Sequence, residues 1–200
     1  MSAAGVQVVE LDRVAPMPWK NGGGTTRDLL VWPPDSAHWQ VRISVAAIER
    51  DGPFSDFGGI DRWFAVLDGV GVALQFGGER HEVRRGAPPL RFDGALAPMC
   101  WLLDGATSDL NLMVRRDAGA GAMHDAMPGR EWTSSAPWRA LVTGDAVHLM
   151  VDDQLAAGTR GAGLLWSAQA GGQRWRVRTQ HASSARGWWI EYRPRSGAAR

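Results

Sequence analysis

Apolar residues along the chain fall in short runs, several with a period of two, and turn-forming residues separate them. Segments 6–11, 26–32, 39–48, 62–67, 72–76, 99–103 and 109–115, then 140–143, 147–151, 164–167, 175–180 and 188–192, are rich in β-branched or apolar residues. Pro33-Pro34, Asp51-Gly52-Pro53, Asp68-Gly69, Gly77-Gly78 and Asp104-Gly105 stand between them, where fixed or positive φ values suit tight turns. The pattern predicts strands and no helix longer than about two turns. Twelve such strands in an all-β chain form either one large sandwich or two small barrels.

Segment 117–137 bears on that choice. It is rich in Gly and Ala, contains Pro128-Gly129 and has Thr133 as its one β-branched residue. It is expected to be a linker between a module over 1–116 and a second module over 138–200. The two sides differ in charge, with 12 basic and 14 acidic residues over 1–116 and 10 and 7 over 117–200.

Alternation also places candidate chemistry. Over 41–46 it puts Val41, Ile43 and Val45 on one face and Arg42, Ser44 and Ala46 on the other. One Arg beside two small residues leaves room for a carboxylate against the planar guanidinium, although a solvated face shows the same pattern. In DLNLMVRR, 109–116, Asn111 and Met113 share one face while Leu110, Leu112 and Val114 share the other. The densest polar motif is PMPWKNGGGTTRD, 16–28. There Asn21-Gly22-Gly23-Gly24 can take positive φ at successive positions and turn bare N–H groups toward an anion, with Lys20 and Arg27 beside them. It is not a phosphate-binding P-loop, because Lys20 precedes the glycines instead of following them. A solvated glycine-rich hairpin is the competing reading.

Composition narrows the function classes. With 44% hydrophobic and 22% charged residues the chain is globular. Its 22 basic and 21 acidic groups create no field that would hold nucleic acid or an anionic membrane. No basic and apolar leader opens the chain and no apolar run reaches the roughly 18 residues of a bilayer span, so a soluble, cytoplasmic protein is expected. Cys100 is alone, which excludes an internal disulfide and a cysteine-rich zinc site. His38, His81, His124, His148 and His181 are scattered without metal-ligand spacing, so neither metal nor cofactor is expected. No Ser or Cys sits in a nucleophile elbow. Lys20 is the sole Lys among 21 Arg, a candidate for a position that needs a compact ammonium. Eleven Trp against one Tyr serve packing, and Trp188-Trp189 offer a docking face for a second copy or a pathway protein.

PWKNGGGTTRDL, RISVAAIERDGPFSDFGGIDR and DLNLMVRR, in that order and spacing, resemble the HutD/Ves family of bacterial proteins over most of residues 16–116. The resemblance implies a cupin-like fold with two small β-barrels in one chain, a bicupin, and an association with histidine utilisation. It implies a pocket in the first barrel lined by Lys20, Asn21, Gly23 and Gly24, by Arg42 and Ser44, by Phe54, Asp61 and Arg62, and by Asn111 and Met113. In that pocket Arg42 and Arg62 would meet a carboxylate, Asn111 and Ser44 would orient an amide, formyl or imidazole group, and Phe54 and Met113 would form an apolar wall. Asp61 is expected to hold a neighbouring donor. The resemblance points to a metal-free binding protein for a small carboxylate such as urocanate or N-formylglutamate, modulating histidine utilisation. The alternative is an enzyme acting on a small amido acid in the same pocket, with Lys20 and Asp61 as the one pair that can be cast as acid and base.

Overall fold

The structure, a computed structural model, describes residues 5–34, 38–179 and 186–195. Gln180, the end of one expected strand, and His181 lie outside the described residues. Every expected run contains a strand, and all strand pairs with a determined register are antiparallel. Over the described residues the chain divides into two compact units, one holding Ala15–Gly119 and the other holding the N-terminal segment through Val14 with the described residues from Ala120 to Arg195.

In the Ala15–Gly119 unit a six-stranded sheet runs Met17–Pro18, Gly24–Trp32, Val41–Ile48, Thr107–Arg115, Ile60–Asp68, Leu90–Asp93 in spatial order. A four-stranded sheet, Gly52–Pro53, Met99–Leu102, Gly71–Phe76, Glu79–Arg84, faces it. Ile48, Phe64, Val66 and Phe92 from the first sheet and Val72, Leu74, Val83 and Cys100 from the second form one buried cluster. The central strands of the six-stranded sheet are buried on both faces: this cluster lies on one, and Val41, Ile43, Leu110, Leu112 and Val114 are buried on the other.

The other unit pairs a five-stranded sheet, Gln7–Glu10, Gly163–Ser167, Trp138–Thr143, Gly187–Pro194, Gly119–Asp125, with a four-stranded sheet, Glu131–Ser134, Gln173–Thr179, Val147–Val151, Gln154–Gly158. Its core holds Leu141, Leu149, Leu165, Val177, Trp175 and Trp189, with Trp132 stacked on Trp189 at 5.1 Å between centroids. Trp188 and Trp189 are buried, so the expected docking face is instead part of the packed interior.

Three expectations need correction. Segment 117–137 is not a linker: it carries Gly119–Asp125 and Glu131–Ser134, each an outer strand of its sheet. Its Ala and Gly give weak strand propensity, but the backbone ladder and the burial of Met123 hold it in place. The N-terminal strand does not join the module over 1–116. Gln7–Glu10 pairs with Gly163–Ser167, Val8 opposite Leu165 and Val9 opposite Leu164, covering the edge of an apolar strand that would otherwise stand unpaired. Finally, among the described residues no sheet closes into a barrel. In the Ala15–Gly119 unit the outermost strands at one side, Met17–Pro18 and Gly52–Pro53, are two residues long and end in proline, which has no N–H to carry a ladder further.

Candidate ligand-binding site

One face of the six-stranded sheet forms the floor of a cavity of about 560 Å³. The register aligns its side chains in rows: Ser44, Asn111 and Phe64 stand opposite one another, as do Arg42, Met113 and Arg62, and Ala46, Asp109 and Val66. Because these positions differ by two along each strand, they point to the same face. Pro18, Trp19, Lys20 and Asn21 line the cavity from the segment before Gly24–Trp32, and Pro53, Phe54, Ser55 and Phe57 line it from the chain after Val41–Ile48. Trp19 is fixed there by donating its indole N–H to the Thr26 hydroxyl at 2.7 Å.

Charge within the cavity is unevenly satisfied. Arg42 is held by Asp28, with Nε and Nη2 both at 2.8 Å from Oδ1. Arg62 is only 5% exposed and donates from Nη2 to Asn111 Oδ1 at 2.7 Å, while its Nε and Nη1 have no partner. Its guanidinium lies 5.1 Å from the Phe54 ring, 5.5 Å from Phe57 and 5.0 Å from Phe92, aromatic surroundings that favour a cation without supplying strong acceptors. Asn111 donates in turn to Asp109 Oδ2, leaving Oδ1 of that buried carboxyl unpartnered.

Burial shifts both ends of this relay. It lowers Arg62 to about 10 despite the opposing pull of Asp109, so the guanidinium is charged at neutral pH. It raises Asp109 to about 8, with the Arg62 charge acting the other way. Between the ordinary carboxylate range, about 4, and about 8, the folded chain holds a proton that the unfolded chain releases. The group's contribution to stability therefore declines as the pH rises through that window. Thermal unfolding at pH 5 and pH 8 is expected to show a larger loss for the native sequence than for Asp109→Asn; equal losses would contradict the shift.

Eight expected residues come together here: Lys20, Asn21, Arg42, Ser44, Phe54, Arg62, Asn111 and Met113 all line the cavity. Lys20 is exposed at its rim. Gly23 and Gly24 are not among the lining residues, and the anion nest does not form. Only Gly22 of the three glycines has positive φ, +67°. The Gly23 N–H is taken by Asn21 Oδ1 at 3.0 Å, and the Gly22 N–H by the Trp19 carbonyl at 3.0 Å. Asp61, one position from Arg62, points to the opposite face. There it meets Arg91 Nη2 at 2.8 Å and Arg116 Nε at 3.5 Å. It does hold neighbouring donors, but outside the cavity, so Lys20 and Asp61 cannot act as an acid and base pair. Asp109, Trp19 and Phe57 were not expected. Asp109 was within reach of the alternation that found Asn111 and Met113, whereas Trp19 and Phe57 stand inside the quoted motifs 16–28 and 42–62 as large apolar side chains that core packing explains equally well.

Cys100, on the facing four-stranded sheet, lies in the buried core cluster. Burial first, then the charges of Asp109 and Asp51, pushes its thiol up to about 12, which keeps it from forming the reactive thiolate. Maleimide at pH 8 is expected to label Cys100 only after denaturation; labelling at native conditions would contradict this burial.

The HutD family model matches residues 12–185. Protein Ves of Citrobacter koseri is 37% identical over 101 residues, 50% of this chain and 52% of that protein. A 21.2 kDa protein from the hutC 3′ region of Pseudomonas putida is 38% identical over 101 residues, 48% of this chain and 52% of that protein. The matches thus span about half the length of these relatives. Among solved structures, a conserved protein of unknown function from Pseudomonas aeruginosa PAO1 has a TM-score of 0.84 at 25% identity, covering 94% of this chain and 98% of its own. HutD from Pseudomonas fluorescens SBW25, in a formate condition, has 0.82 at 25%, covering 96% and 100%. Oxalate decarboxylase of Bacillus subtilis shares the cupin-like fold alone, at TM-score 0.64 and 8% identity over 92% of this chain and 76% of its own. That enzyme has Mn(II) centres. The present cavity does not fit such an ion: its ionisable lining is Lys20, Arg42, Arg62 and a single carboxylate, Asp109, with no His, a set that repels a divalent cation.

Proposed function

The chain belongs to the HutD family, and from that premise we propose that its cavity binds a small carboxylate without a metal ion and that occupancy modulates histidine utilisation in the cytoplasm. The observation that carries this reading is Arg62. A buried, charged guanidinium with two donors unpartnered on a cavity wall calls for an anionic acceptor, and a carboxylate supplies planar oxygens at the right strength. Ser44 and Asn111 beside it offer polar anchoring for an amide, formyl or imidazole group, and Phe54, Phe57 and Met113 supply apolar wall, the usual composition of a small-molecule site. Urocanate and N-formylglutamate combine these features. The family's association with histidine utilisation, and the hutC-region position of the Pseudomonas putida relative, favour ligands of that class. We read the two units as two cupin-like modules of a bicupin, each with two antiparallel sheets around its own core, with the ligand in the first.

Calorimetric titration of metal-stripped protein with urocanate, N-formylglutamate, glutamate and formate tests the proposal. Saturable binding of at least one acid, unchanged by added divalent metal, is the expected result. No heat with any of the four would overturn the ligand class.

A further inference from the structure

Two side chains in the cavity each carry polar atoms that find no partner among the described residues. Arg62 leaves Nε and Nη1 without an acceptor, and Asp109 leaves Oδ1 without a partner, although these residues are only 5% and 1% exposed. Their other polar atoms are tied together through Asn111. Unsatisfied buried atoms are rare in folded proteins, and on a cavity wall they mark where a ligand's atoms belong. The Arg62 atoms can only donate. The Asp109 oxygen can accept when the carboxyl is ionised or donate when it is protonated.

Charge decides between these. The ionisable groups about Asp109 are Arg62 on the adjoining strand, Arg42 one strand away on the other side and already held by Asp28, Lys20 at the rim, and the neutral Cys100 thiol of the facing sheet. With Asp109 ionised, its charge offsets that of Arg62, and an incoming carboxylate adds surplus negative charge in a buried place. With Asp109 protonated, the carboxylate completes a neutral pair with Arg62. Because Oδ2 already accepts from Asn111, the proton sits on Oδ1, the oxygen left open.

We propose that Asp109 is a specificity-determining ligand contact that donates from its protonated carboxyl, so that the cavity takes a carboxylate together with one proton and favours acids offering a second, uncharged acceptor. This rests on the carboxylate reading of the cavity and deepens it: the Asp109 proton becomes the contact that selects amido or formyl acids over simple alkanoates. The shift of Asp109 to about 8 puts that proton within reach at neutral pH.

The test is titration of the full chain with N-formylglutamate and with formate between pH 6.5 and 9, in pairs of buffers that differ in ionisation enthalpy. Proton uptake on binding is expected to rise from near zero at the low end to nearly one at pH 9, with affinity falling toward tenfold per pH unit above about 8. Asp109→Asn, which keeps the shape and a donor but cannot titrate, is expected to bind N-formylglutamate within a few-fold of the native chain, with no proton uptake and a flat pH profile. Asp109→Ala is expected to lose about tenfold for N-formylglutamate and less for formate. Binding by the native chain with no proton uptake at pH 9 overturns the proposal while leaving the carboxylate site standing. So does loss of binding in a folded Asp109→Asn, which would make the ionised oxygen an acceptor. Failure of every acid to bind the native chain overturns both.

Discussion

Arg62→Ala is expected to weaken carboxylate binding by about 30- to 150-fold, equivalent to about 2–3 kcal/mol. The side chain is buried, its charge is not offset by a direct carboxylate contact within the chain, and two donors are left for the ligand. Removing it leaves a bound anion in an aromatic pocket and frees Asn111 Oδ1 of its donor. Arg62→Met keeps the apolar stem between the phenyl rings and separates lost charge from lost packing; it is expected to lose nearly as much affinity. Arg42→Ala is the informative contrast. Its guanidinium spends Nε and Nη2 on Asp28, so its loss is expected to cost several-fold, well below that of Arg62. Calorimetry on variants whose thermal unfolding is first checked measures the difference. Equal affinity in Arg62→Ala and the native chain would remove the guanidinium from the site.

That contrast shows how far sequence alone reaches. Alternation in 41–46 and 109–113 oriented Arg42, Ser44, Asn111 and Met113 correctly, because successive strand side chains point to opposite faces, so the apolar set Val41, Ile43, Leu110 and Leu112 fixes which polar positions share the other face. It could not say that Arg42 would be held by Asp28 while Arg62 stayed open, since that depends on which strands become neighbours. The same blindness to partners misplaced the N-terminal strand, whose own residues do not say which sheet edge it joins; it pairs with Gly163–Ser167. Asp61 shows a different limit. Adjacent residues of a strand face opposite ways, so a motif that lists Asp61 with Arg62 joins two sides of a sheet. Glu79–Arg84 and Gly119–Asp125 escaped detection for want of an apolar rhythm. The first is an exposed outer strand carrying alternating charge, and the second is built from residues too small to show one.

The glycines at the cavity mouth separate two readings of that motif by experiment. Gly24→Ala is expected to destabilise the Ala15–Gly119 unit by about 1–3 kcal/mol, lowering its unfolding temperature by several degrees or more. A Cβ there would stand 2.1 Å from the Ala47 carbonyl oxygen and 3.2 Å from the Trp19 ring. Gly24 opens its strand opposite Ile48, and its carbonyl accepts from the Trp19 N–H at 2.9 Å. Relief therefore means parting the Gly24–Trp32 and Val41–Ile48 backbones or moving Trp19, and either shifts the wall of the cavity. Gly22→Ala meets nothing within 4 Å but keeps φ at +67°, so only left-handed strain of about 1–2 kcal/mol is expected. Gly23→Ala meets only the side chain of Asn21, at 3.3 Å, and is expected to be milder still. If the three glycines existed to present N–H groups to an anion, all three variants would lose ligand affinity whatever their stability. If Gly24 instead lets two strands and a tryptophan close on one another, the ranking follows steric room, with Gly24→Ala losing most stability. Gly23→Ala would then bind ligand nearly as well as the native chain. Parallel thermal melts and titrations of the three variants decide between a loop that touches the ligand and one that shapes the wall the ligand touches.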